Sequence, residues 1–140
     1  MASELSHDEA ARLLQDIFPG LEAEDIKDLA SLGELRTYAV DCILCREGEY
    51  EDVFYVIYDG KVEVTKMLDD EQVHVLNKMG AREFFGEMAL IHDAPRGATI
   101  RTLEPTTVLE INRAVFDKVL YRSPAMAVTV MREIAERLRQ

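Results

Sequence analysis

Residues 53–65 read VFYVIYDGKVEVT, and this stretch shows the architecture of the chain most clearly. Its first six residues are apolar or aromatic throughout, which is typical of a strand buried on both faces. Asp59-Gly60 then predicts a tight turn, because both residue types tolerate the backbone angles of such turns. From Lys61 to Thr65, polar and apolar side chains alternate, as in a strand with one buried face. The stretch therefore predicts two strands joined by a tight turn.

Similar short strands are predicted on either side, from Leu35 to Ile111. Residues 72–75 alternate again, and residues 68–71 before them (Leu-Asp-Asp-Glu) predict a second, largely polar turn. Residues 107–111 have the composition of a last strand. Many short strands at this spacing predict an all-β sandwich or a jelly roll.

Two helices are predicted before the strands. Ser6 and Glu9 form a capping box at the start of the first helix, and residues 18–20 (Phe-Pro-Gly) end it. The second helix is predicted from Glu22 to about Leu32, with Gly33 ending it.

Two more helices are predicted after the strands. Asn112 can cap a helix that reaches Leu120, and Ser123-Pro124 supplies a cap and a proline in the first turn of the last helix. Tyr121-Arg122 would then form a short hinge between them. The apolar positions of the last helix are Met126, Val130, Met131, Ile134 and Leu138.

The charge balance limits the classes of partner. The 140 residues include 16 basic and 27 acidic side chains, which give a net charge of −11. Nucleic-acid binding rests on a clustered basic face, so we expect no nucleic-acid partner for this domain.

No run approaches the roughly 18 apolar residues of a membrane span, and no secretory signal stands at the N-terminus. We therefore expect no membrane contact by this domain and a cytoplasmic location, alone or as the cytosolic part of a larger protein.

The two cysteines, Cys42 and Cys45, have the spacing C-x-x-C. A redox pair needs this motif at the start of a helix, whereas here it lies in an apolar run that predicts a strand. A zinc site needs a second pair of ligands, and none follows at suitable spacing. We therefore predict two reduced cysteines that fill apolar space, and no metal.

Residues 85–99 break both the helical and the strand period. Gly86 permits close backbone approach, and Glu87 to Ile91 is long enough for one helical turn. Arg96 offers charge and a planar fork of donors that matches phosphate oxygens. Glu87, when ionised, can accept hydrogen bonds from a ribose hydroxyl. The residues alone predict a short anion cradle with one acceptor, and an ordinary loop with a surface Arg–Glu pair stays open as the alternative.

This segment resembles the phosphate-binding cassette of the cyclic nucleotide-binding domain family, which includes catabolite activator proteins and regulatory subunits of cyclic AMP-dependent protein kinase. The cassette pattern is F-G-E-x-A-L, a short spacer, then P-R-x-A-[TSV]. Residues 46–48 also resemble the R-E-G corner of the family, and residues 55–62 resemble its Y-x-V-x-x-G-x-V hairpin. The matching cassette residues are Phe85, Gly86, Glu87, Met88, Ala89 and Leu90, then Pro95, Arg96, Gly97, Ala98 and Thr99.

The resemblance implies a mainly β fold with flanking helices: an eight-stranded jelly-roll barrel with N-terminal helices and two C-terminal helices. It implies a single domain over residues 1–140. The N-terminal helices would span about residues 1–33, the barrel 34–111 with the cassette at 85–99, and the C-terminal helices 112–140.

The resemblance also implies roles for the cassette residues. The Gly86 amide and the Glu87 carboxylate would hold the ribose 2′-hydroxyl. Arg96 and the amides of Ala89 and Gly97 would hold the cyclic phosphate. Leu90 and Ala98 would pack the cassette against the barrel. Val73 and Val75, or their strand neighbours, would line the base pocket.

Two positions depart from the family pattern. Asp41 stands where a glycine is usual, and aspartate tolerates turn geometry, so we expect little effect. Gly97 stands where members selective for cyclic GMP often carry threonine. The resemblance therefore implies cyclic AMP as the ligand, with cyclic GMP less favoured.

The family relays occupancy through its C-terminal helices, so we expect a sensor whose last helix moves or pairs with a second copy or a tethered output domain. Tyr121, Met126, Val130, Met131 and Ile134 are candidates for a lid on the base, among which the sequence does not choose.

Three other functions compete with the sensor. An enzyme is disfavoured because no H-E-x-x-H, Walker or G-x-S-x-G pattern occurs. A DNA-binding regulator would carry a helix-turn-helix after the long helix, whereas this acidic chain ends at Gln140, inside that helix. We therefore expect that an output domain was removed, that it lies on the N-terminal side, or that the domain stands alone. A degenerate, non-binding domain that serves as a protein-interaction module is the third, although such members usually lose the cassette arginine or glutamate.

Overall fold

The computed structural model describes residues 7–69, 72–92 and 94–139. Eight strands in these ranges form two antiparallel sheets of four strands each, in the orders β1-β8-β3-β6 and β2-β7-β4-β5. The predicted mainly β fold with flanking helices is confirmed. The strands are β1 (Glu34–Tyr38), β2 (Ile43–Cys45), β3 (Val53–Asp59), β4 (Lys61–Leu68), β5 (Gln72–Gly80), β6 (Phe84–Phe85), β7 (Thr99–Thr102) and β8 (Thr106–Asn112).

Five helices surround the sheets within the described residues. None of them has both the length and the apolar character that crossing a bilayer requires. The helices are α1 (His7–Ile17), α2 (Ala23–Leu32), α3 (Glu87–His92), α4 (Arg113–Arg122) and α5 (Pro124–Leu138).

Strand β3 separates two hydrophobic cores. Tyr55 and Ile57 point into the core between the two sheets, where they meet Val62, Ile100 and other residues of the opposite sheet. The alternate residues Phe54 and Val56 point into a second core. Helices α1, α2, α4 and α5 supply most of that second core. The apolar run from Val53 to Tyr58 fits this position, because both faces of β3 are covered.

The turn at Asp59-Gly60 corrects one prediction. It is not the turn of a hairpin, because β3 pairs with β8 and β6 whereas β4 pairs with β5 and β7. The chain instead crosses from one sheet to the other at this corner. Gly60 has a φ of +112°, and an added Cβ would lie 2.4 Å from the Thr106 hydroxyl oxygen. Only glycine fits this corner without a shift of the neighbouring strand.

The hairpin in this region is β4–β5. Leu68 pairs with Gln72 across the turn, as the polar residues between them predict. Asp70 and Glu71 of that turn, like Ser6 of the capping box, lie outside the described residues.

The predicted helix caps are present at both C-terminal helices. The Asn112 side chain accepts the Val115 N–H, and the Ser123 hydroxyl accepts the Met126 N–H. Helix α4 continues through Tyr121 and Arg122, so the predicted hinge at these residues is wrong. Ser123 alone separates α4 from α5, because its N–H still closes the last turn of α4 while its hydroxyl caps α5.

Candidate ligand-binding site

A cavity of about 420 Å³ opens between the second sheet, the cassette and the C-terminal part of α5. Its sheet side is apolar, with Val64, Met79 and Ile100 in the wall. Its cassette side carries the two charged side chains Glu87 and Arg96. A concave apolar pocket with a few convergent polar groups is the usual form of a small-molecule site.

The cassette begins with a sharp backbone turn at Gly86. Strand β6 ends at Phe85, and α3 begins at Glu87, so Gly86 must reverse the chain in one residue. It does so with a φ of +98°. An added Cβ there would lie 2.8 Å from both Arg96 Nη1 and the Val53 carbonyl oxygen. Glycine is therefore required for conformation and for space.

Arg96 is 4% exposed and supports the turn from inside. Its Nη1 donates to the Gly86 carbonyl at 3.1 Å, and its Nη2 donates to the Val53 carbonyl at 2.6 Å. Its Nε makes no hydrogen bond and lies 3.5 Å from a carboxylate oxygen of Glu51. The guanidinium thus links the cassette to β3 and keeps unused N–H groups for a ligand.

The backbone of the corner at residues 46–50 is hydrogen-bonded to the backbone of Arg96. The Arg96 amide donates to the Glu49 carbonyl, and the Gly48 amide donates to the Arg96 carbonyl, each at 2.8 Å. Gly48 has a φ of +86°, which lets the corner turn back onto the cassette. The two backbone segments therefore form one unit.

Asp41 adopts the left-handed conformation that a glycine would favour, with a φ of +66°. Its carboxylate accepts a hydrogen bond from Arg101 Nη1 at 2.9 Å. The expected tolerance of aspartate at this corner is thus met.

Glu87 is fully buried at the N-terminus of α3. One carboxylate oxygen accepts a hydrogen bond from Arg137 Nη1, and the other has no hydrogen-bond partner. Burial raises the pKa of this carboxyl above its ordinary value, and the charge of Arg137 opposes that rise. The site therefore contains a buried carboxylate oxygen that can accept a further hydrogen bond.

Arg137 comes from the far end of α5. Its second guanidinium nitrogen donates to the Phe84 carbonyl, and the guanidinium lies 5.5 Å from the centroid of the Phe84 ring. Glu133, one turn earlier, adds an ion pair to its Nε at 3.3 Å. These contacts close one side of the cavity with the last helix.

Most predicted cassette residues lie together in the cavity wall. Leu90 instead lies in the second core, which the helices supply together with β3 residues such as Phe54 and Val56, and Pro95 is exposed outside the wall. The backbone of Ala89 lies in α3. The residues in the wall are Phe85, Gly86, Glu87, Met88, Arg96, Gly97 and Ala98.

The structure does not bring Val73 and Val75 to the cavity. They are 61% and 56% exposed, and their neighbours Leu76 and Asn77 line the wall in their place. The pairing explains the difference, because Val64 pairs with Asn77 while Thr65 pairs with Val75. Leu76 is the extra residue of a β-bulge, and one extra residue turns all preceding side chains to the other face.

Two charged residues of the site, Glu51 and Arg137, have no signal in the sequence. Neither belongs to the cassette, and only the packing of the β2–β3 connection and of α5 brings them to Arg96 and Glu87. None of the apolar lid candidates on the last helix lines the cavity, whose lining residue from α5 is Arg137.

The cavity wall combines the charged side chains Glu87 and Arg96 with the thiol of Cys45. Among the described residues, no three His, Cys, Asp or Glu side chains are grouped as metal ligands. Cys42 and Cys45 are free thiols, and burial raises the pKa of Cys45 to about 12. Such a thiol stays protonated at neutral pH and acts as apolar wall.

Known proteins share both the sequence pattern and the fold. Residues 35–123 match the family model of the cyclic nucleotide-binding domain. A cGMP-dependent protein kinase of Eimeria tenella is 42% identical over 77 residues, which are 55% of this chain and 7% of the kinase. A cAMP-dependent protein kinase regulatory subunit of Dictyostelium discoideum is 35% identical over 80 residues, which are 55% of this chain and 24% of that protein.

Among solved structures, the catabolite activator protein of Thermus thermophilus superposes with a TM-score of 0.78. It is 28% identical, and the match covers 88% of this chain and 58% of that one. This chain thus spans a minor part of the curated relatives it matches. On the family match, the cassette and the two-sheet fold, it belongs to the cyclic nucleotide-binding domain family.

Proposed function

We propose that this chain is a sensor that binds cyclic AMP in the cavity beside the cassette and reports its occupancy through α5. One observation carries the proposal: Glu87 Oε2 and Arg96 Nε are buried, make no hydrogen bond, and belong to side chains of the same cavity wall. Buried polar atoms nearly always have hydrogen-bond partners, and Arg96 Nε has only the Glu51 carboxylate at 3.5 Å beside it. These buried groups of opposite charge therefore favour a ligand that carries both an anion and hydroxyl groups.

The cyclic phosphate binds Arg96 and the amides of Ala89 and Gly97 in this proposal. Two of the five N–H groups of Arg96 already hold backbone carbonyls, which fixes the guanidinium plane. The remaining N–H groups donate to the phosphate oxygens. Glu51, 3.5 Å from Arg96 Nε, is the anion that the phosphate displaces or repels.

The ribose binds Glu87 and the Gly86 amide. Glu87 Oε2 accepts a hydrogen bond from the 2′-hydroxyl group, since the other carboxylate oxygen is already bonded to Arg137. A hydrogen bond to a buried ionised group is stronger than one between neutral groups. This contact favours a ribonucleotide over its 2′-deoxy analogue.

Adenine is the proposed base because Gly97 offers no hydroxyl to the amino group of guanine. The relatives include both cAMP- and cGMP-dependent kinases, so their names favour neither base. A Cβ at Gly97 would meet nothing within 4 Å, so a larger residue fits there. Gly97→Thr is therefore expected to improve the affinity for cyclic GMP relative to cyclic AMP without loss of folding.

The relay to α5 is supported by the Arg137–Glu87 ion pair. A ligand that adds a hydrogen bond to Glu87 changes the carboxylate that anchors the last helix. A shift of α5 requires different ligand affinities for its two positions. Amide exchange across residues 124–138, with and without cyclic AMP, tests this step, and identical protection in the two samples contradicts it.

A non-binding interaction module is the second candidate function. The observation that favours it is that Arg137 already neutralises Glu87, so the cavity is partly satisfied by the chain itself. The curated relatives are much longer than this chain. We propose a tethered output domain or a second copy as the recipient of the signal, in the cytoplasm, and no catalytic step within this domain.

Calorimetric titration with cyclic AMP and cyclic GMP separates these candidates. We expect Arg96→Ala to weaken cyclic AMP binding by roughly 2–5 kcal/mol, by analogy with buried charge pairs at interfaces. Arg96→Lys keeps the charge but loses the fork, and is expected to lie between Arg96→Ala and the unmodified chain. Arg101→Ala is the matched control, since Arg101 pairs with Asp41 outside the cavity wall.

Thermal unfolding of each variant excludes loss of fold as the cause. Equal cyclic AMP affinity in Arg96→Ala and the unmodified chain contradicts the proposed position of the phosphate. A folded, unmodified chain that binds neither nucleotide favours the interaction module. Conversion of cyclic AMP in the same samples, followed by chromatography, contradicts the non-catalytic assignment.

A further inference from the structure

A row of four side chains crosses the second sheet beneath the cavity. Cys45 of β2 pairs with Ile100 of β7, Ile100 pairs with Val64 of β4, and Val64 pairs with Asn77 of β5. Paired residues of neighbouring strands point to the same face, and all four line the cavity. The row thus forms one wall of the site, from one edge of the sheet to the other.

The two ends of this row differ in chemistry. At one end, Cys45 leads directly into the corner at residues 46–50, whose backbone is hydrogen-bonded to that of Arg96, so this end lies beside the proposed phosphate position. Asn77 stands at the other end, three strand spacings or roughly 14 Å away. A ligand whose phosphate lies on Arg96 therefore extends its base along the apolar middle of the row toward Asn77.

The bulge at Leu76 determines that the Asn77 side chain faces the cavity. Because Leu76 is the extra residue, Asn77 keeps its pairing with Val64 while Val75 turns to the outer face. Asn77 is accordingly half-buried, in contrast to the exposed Val75. Among the described residues of the cavity wall, it is the one side chain with an uncharged amide.

A local hydrogen bond orients the Asn77 amide. Its Oδ1 accepts the backbone N–H of Lys78 at 2.8 Å. A carbonyl oxygen has a second lone pair, and the NH₂ group adds two donors. The side chain therefore presents one acceptor next to one donor to a ligand.

We propose that Asn77 reads the base of the nucleotide by pairing with N6 and N7 of adenine. Adenine places an amino donor beside the N7 acceptor, which an asparagine amide matches with two hydrogen bonds. Guanine places O6, an acceptor, at the same position and opposes the Asn77 oxygen. This inference rests on the proposed function of the cavity and names the residue that discriminates the base.

The test compares four nucleotides on the whole chain by calorimetry: cyclic AMP, cyclic GMP, cyclic IMP and the 7-deaza analogue of cyclic AMP. The unmodified chain is expected to bind cyclic AMP about 5- to 100-fold more tightly than the 7-deaza analogue or cyclic IMP. Asn77→Leu keeps the branched shape of the side chain and removes both hydrogen bonds, so it is expected to abolish these ratios. The expected loss in Asn77→Leu is larger for cyclic AMP, which loses two hydrogen bonds, than for the 7-deaza analogue, which loses only the bond to N6.

Val75→Leu is the matched control, because Val75 lies two residues away on the same strand and outside the cavity wall. It is expected to keep every affinity ratio. Equal loss of all four affinities in Asn77→Leu, or unchanged ratios, overturns the role of Asn77 while leaving the cyclic nucleotide site in place. Binding of none of the four by the folded, unmodified chain overturns the proposed function itself and this inference with it.

Discussion

Arg137 of α5 donates a hydrogen bond to Glu87 of α3, across 50 residues of sequence. The carboxylate is fully buried, and its second oxygen lies unpaired in the wall of the cavity. One side chain therefore belongs both to the candidate ligand site and to the anchor of the last helix. This shared carboxylate gives the sensor hypothesis a specific pair of atoms to test.

The first prediction concerns this ion pair. Arg137→Met keeps most of the apolar stem but leaves the buried Glu87 carboxylate without its charged partner. We expect a loss of about 1–3 kcal/mol in the free energy of unfolding without ligand, measured by urea titration. In the double variant Glu87→Gln with Arg137→Met, most of this loss is expected to disappear, because the orphaned charge is gone.

The control for Arg137 is Arg139→Met, two residues later at the exposed end of the helix. It is expected to change stability by less than about 0.5 kcal/mol. Additive effects of the Glu87 and Arg137 changes in the cycle would contradict a coupling between them.

The second prediction concerns the cassette glycines. Gly86→Ala forces a Cβ to 2.8 Å from a backbone carbonyl and imposes a φ of +98° on alanine. We expect it to destabilise the domain by about 1–3 kcal/mol and to weaken cyclic AMP binding, because Arg96 must shift. Gly97→Ala meets nothing within 4 Å and is expected to fold with nearly unchanged stability. Similar unfolding midpoints for the two variants would contradict the steric argument.

The third prediction is a pH dependence of binding. In the proposed complex the ribose hydroxyl donates to ionised Glu87, and burial raises the pKa of this carboxyl in the ligand-free protein above the ordinary value of 4.5. Affinity for cyclic AMP is expected to fall as the pH is lowered through that pKa, since protonation removes the acceptor charge. Calorimetry from pH 8 to pH 5 measures this. Glu87→Gln binds more weakly and is expected to lose the dependence; an unchanged slope points to another titrating group.

The raised pKa of Glu87 also makes the stability of the ligand-free protein depend on pH, and in the direction opposite to that of the affinity. A carboxyl with a raised pKa binds more protons in the folded state than in the unfolded state between the two pKa values. Its contribution to the free energy of unfolding therefore falls as the pH rises through this window. The difference in stability between the unmodified chain and Glu87→Gln, measured without ligand by urea titration, is expected to show this slope.

The fourth prediction concerns the end of α4. Arg122 donates to the buried Asp25 of α2 at 2.6 Å and to Asp28 at 2.8 Å, directly before Ser123. This cluster ties α2 to the junction between α4 and α5. Arg122→Gln is expected to destabilise the domain by about 1–3 kcal/mol, because Asp25 loses its cation, and to raise amide exchange near Ser123. Lys118→Gln, which removes a more exposed partner of Asp28 at 3.4 Å, is expected to have a smaller effect.

Local chemistry explains why much of this protein was predictable from the sequence. The caps at Asn112 and Ser123, the end of α2 at Gly33 and the helical turn after Gly86 depend on residues within a few positions of each other. The two-faced burial of β3 follows from an uninterrupted apolar run. The cassette could be recognised because its residues occur at a fixed spacing. That spacing lets the Arg96 guanidinium bond to the carbonyl of Gly86, directly before Glu87.

Long-range pairing decided the remaining features. A single extra residue in β5, Leu76, turned Val73 and Val75 away from the cavity and left Asn77 inside it, and the alternating pattern of the strand shows no sign of this. Asp59-Gly60 has the sequence of a hairpin but joins two sheets, since each strand pairs with partners far away in sequence. Glu51 and Arg137 reach the site because separate segments pack there, and no periodicity records that contact. The cassette chemistry is thus local, whereas the sheet wall of the cavity and the arginine that joins the site to the last helix depend on register and packing.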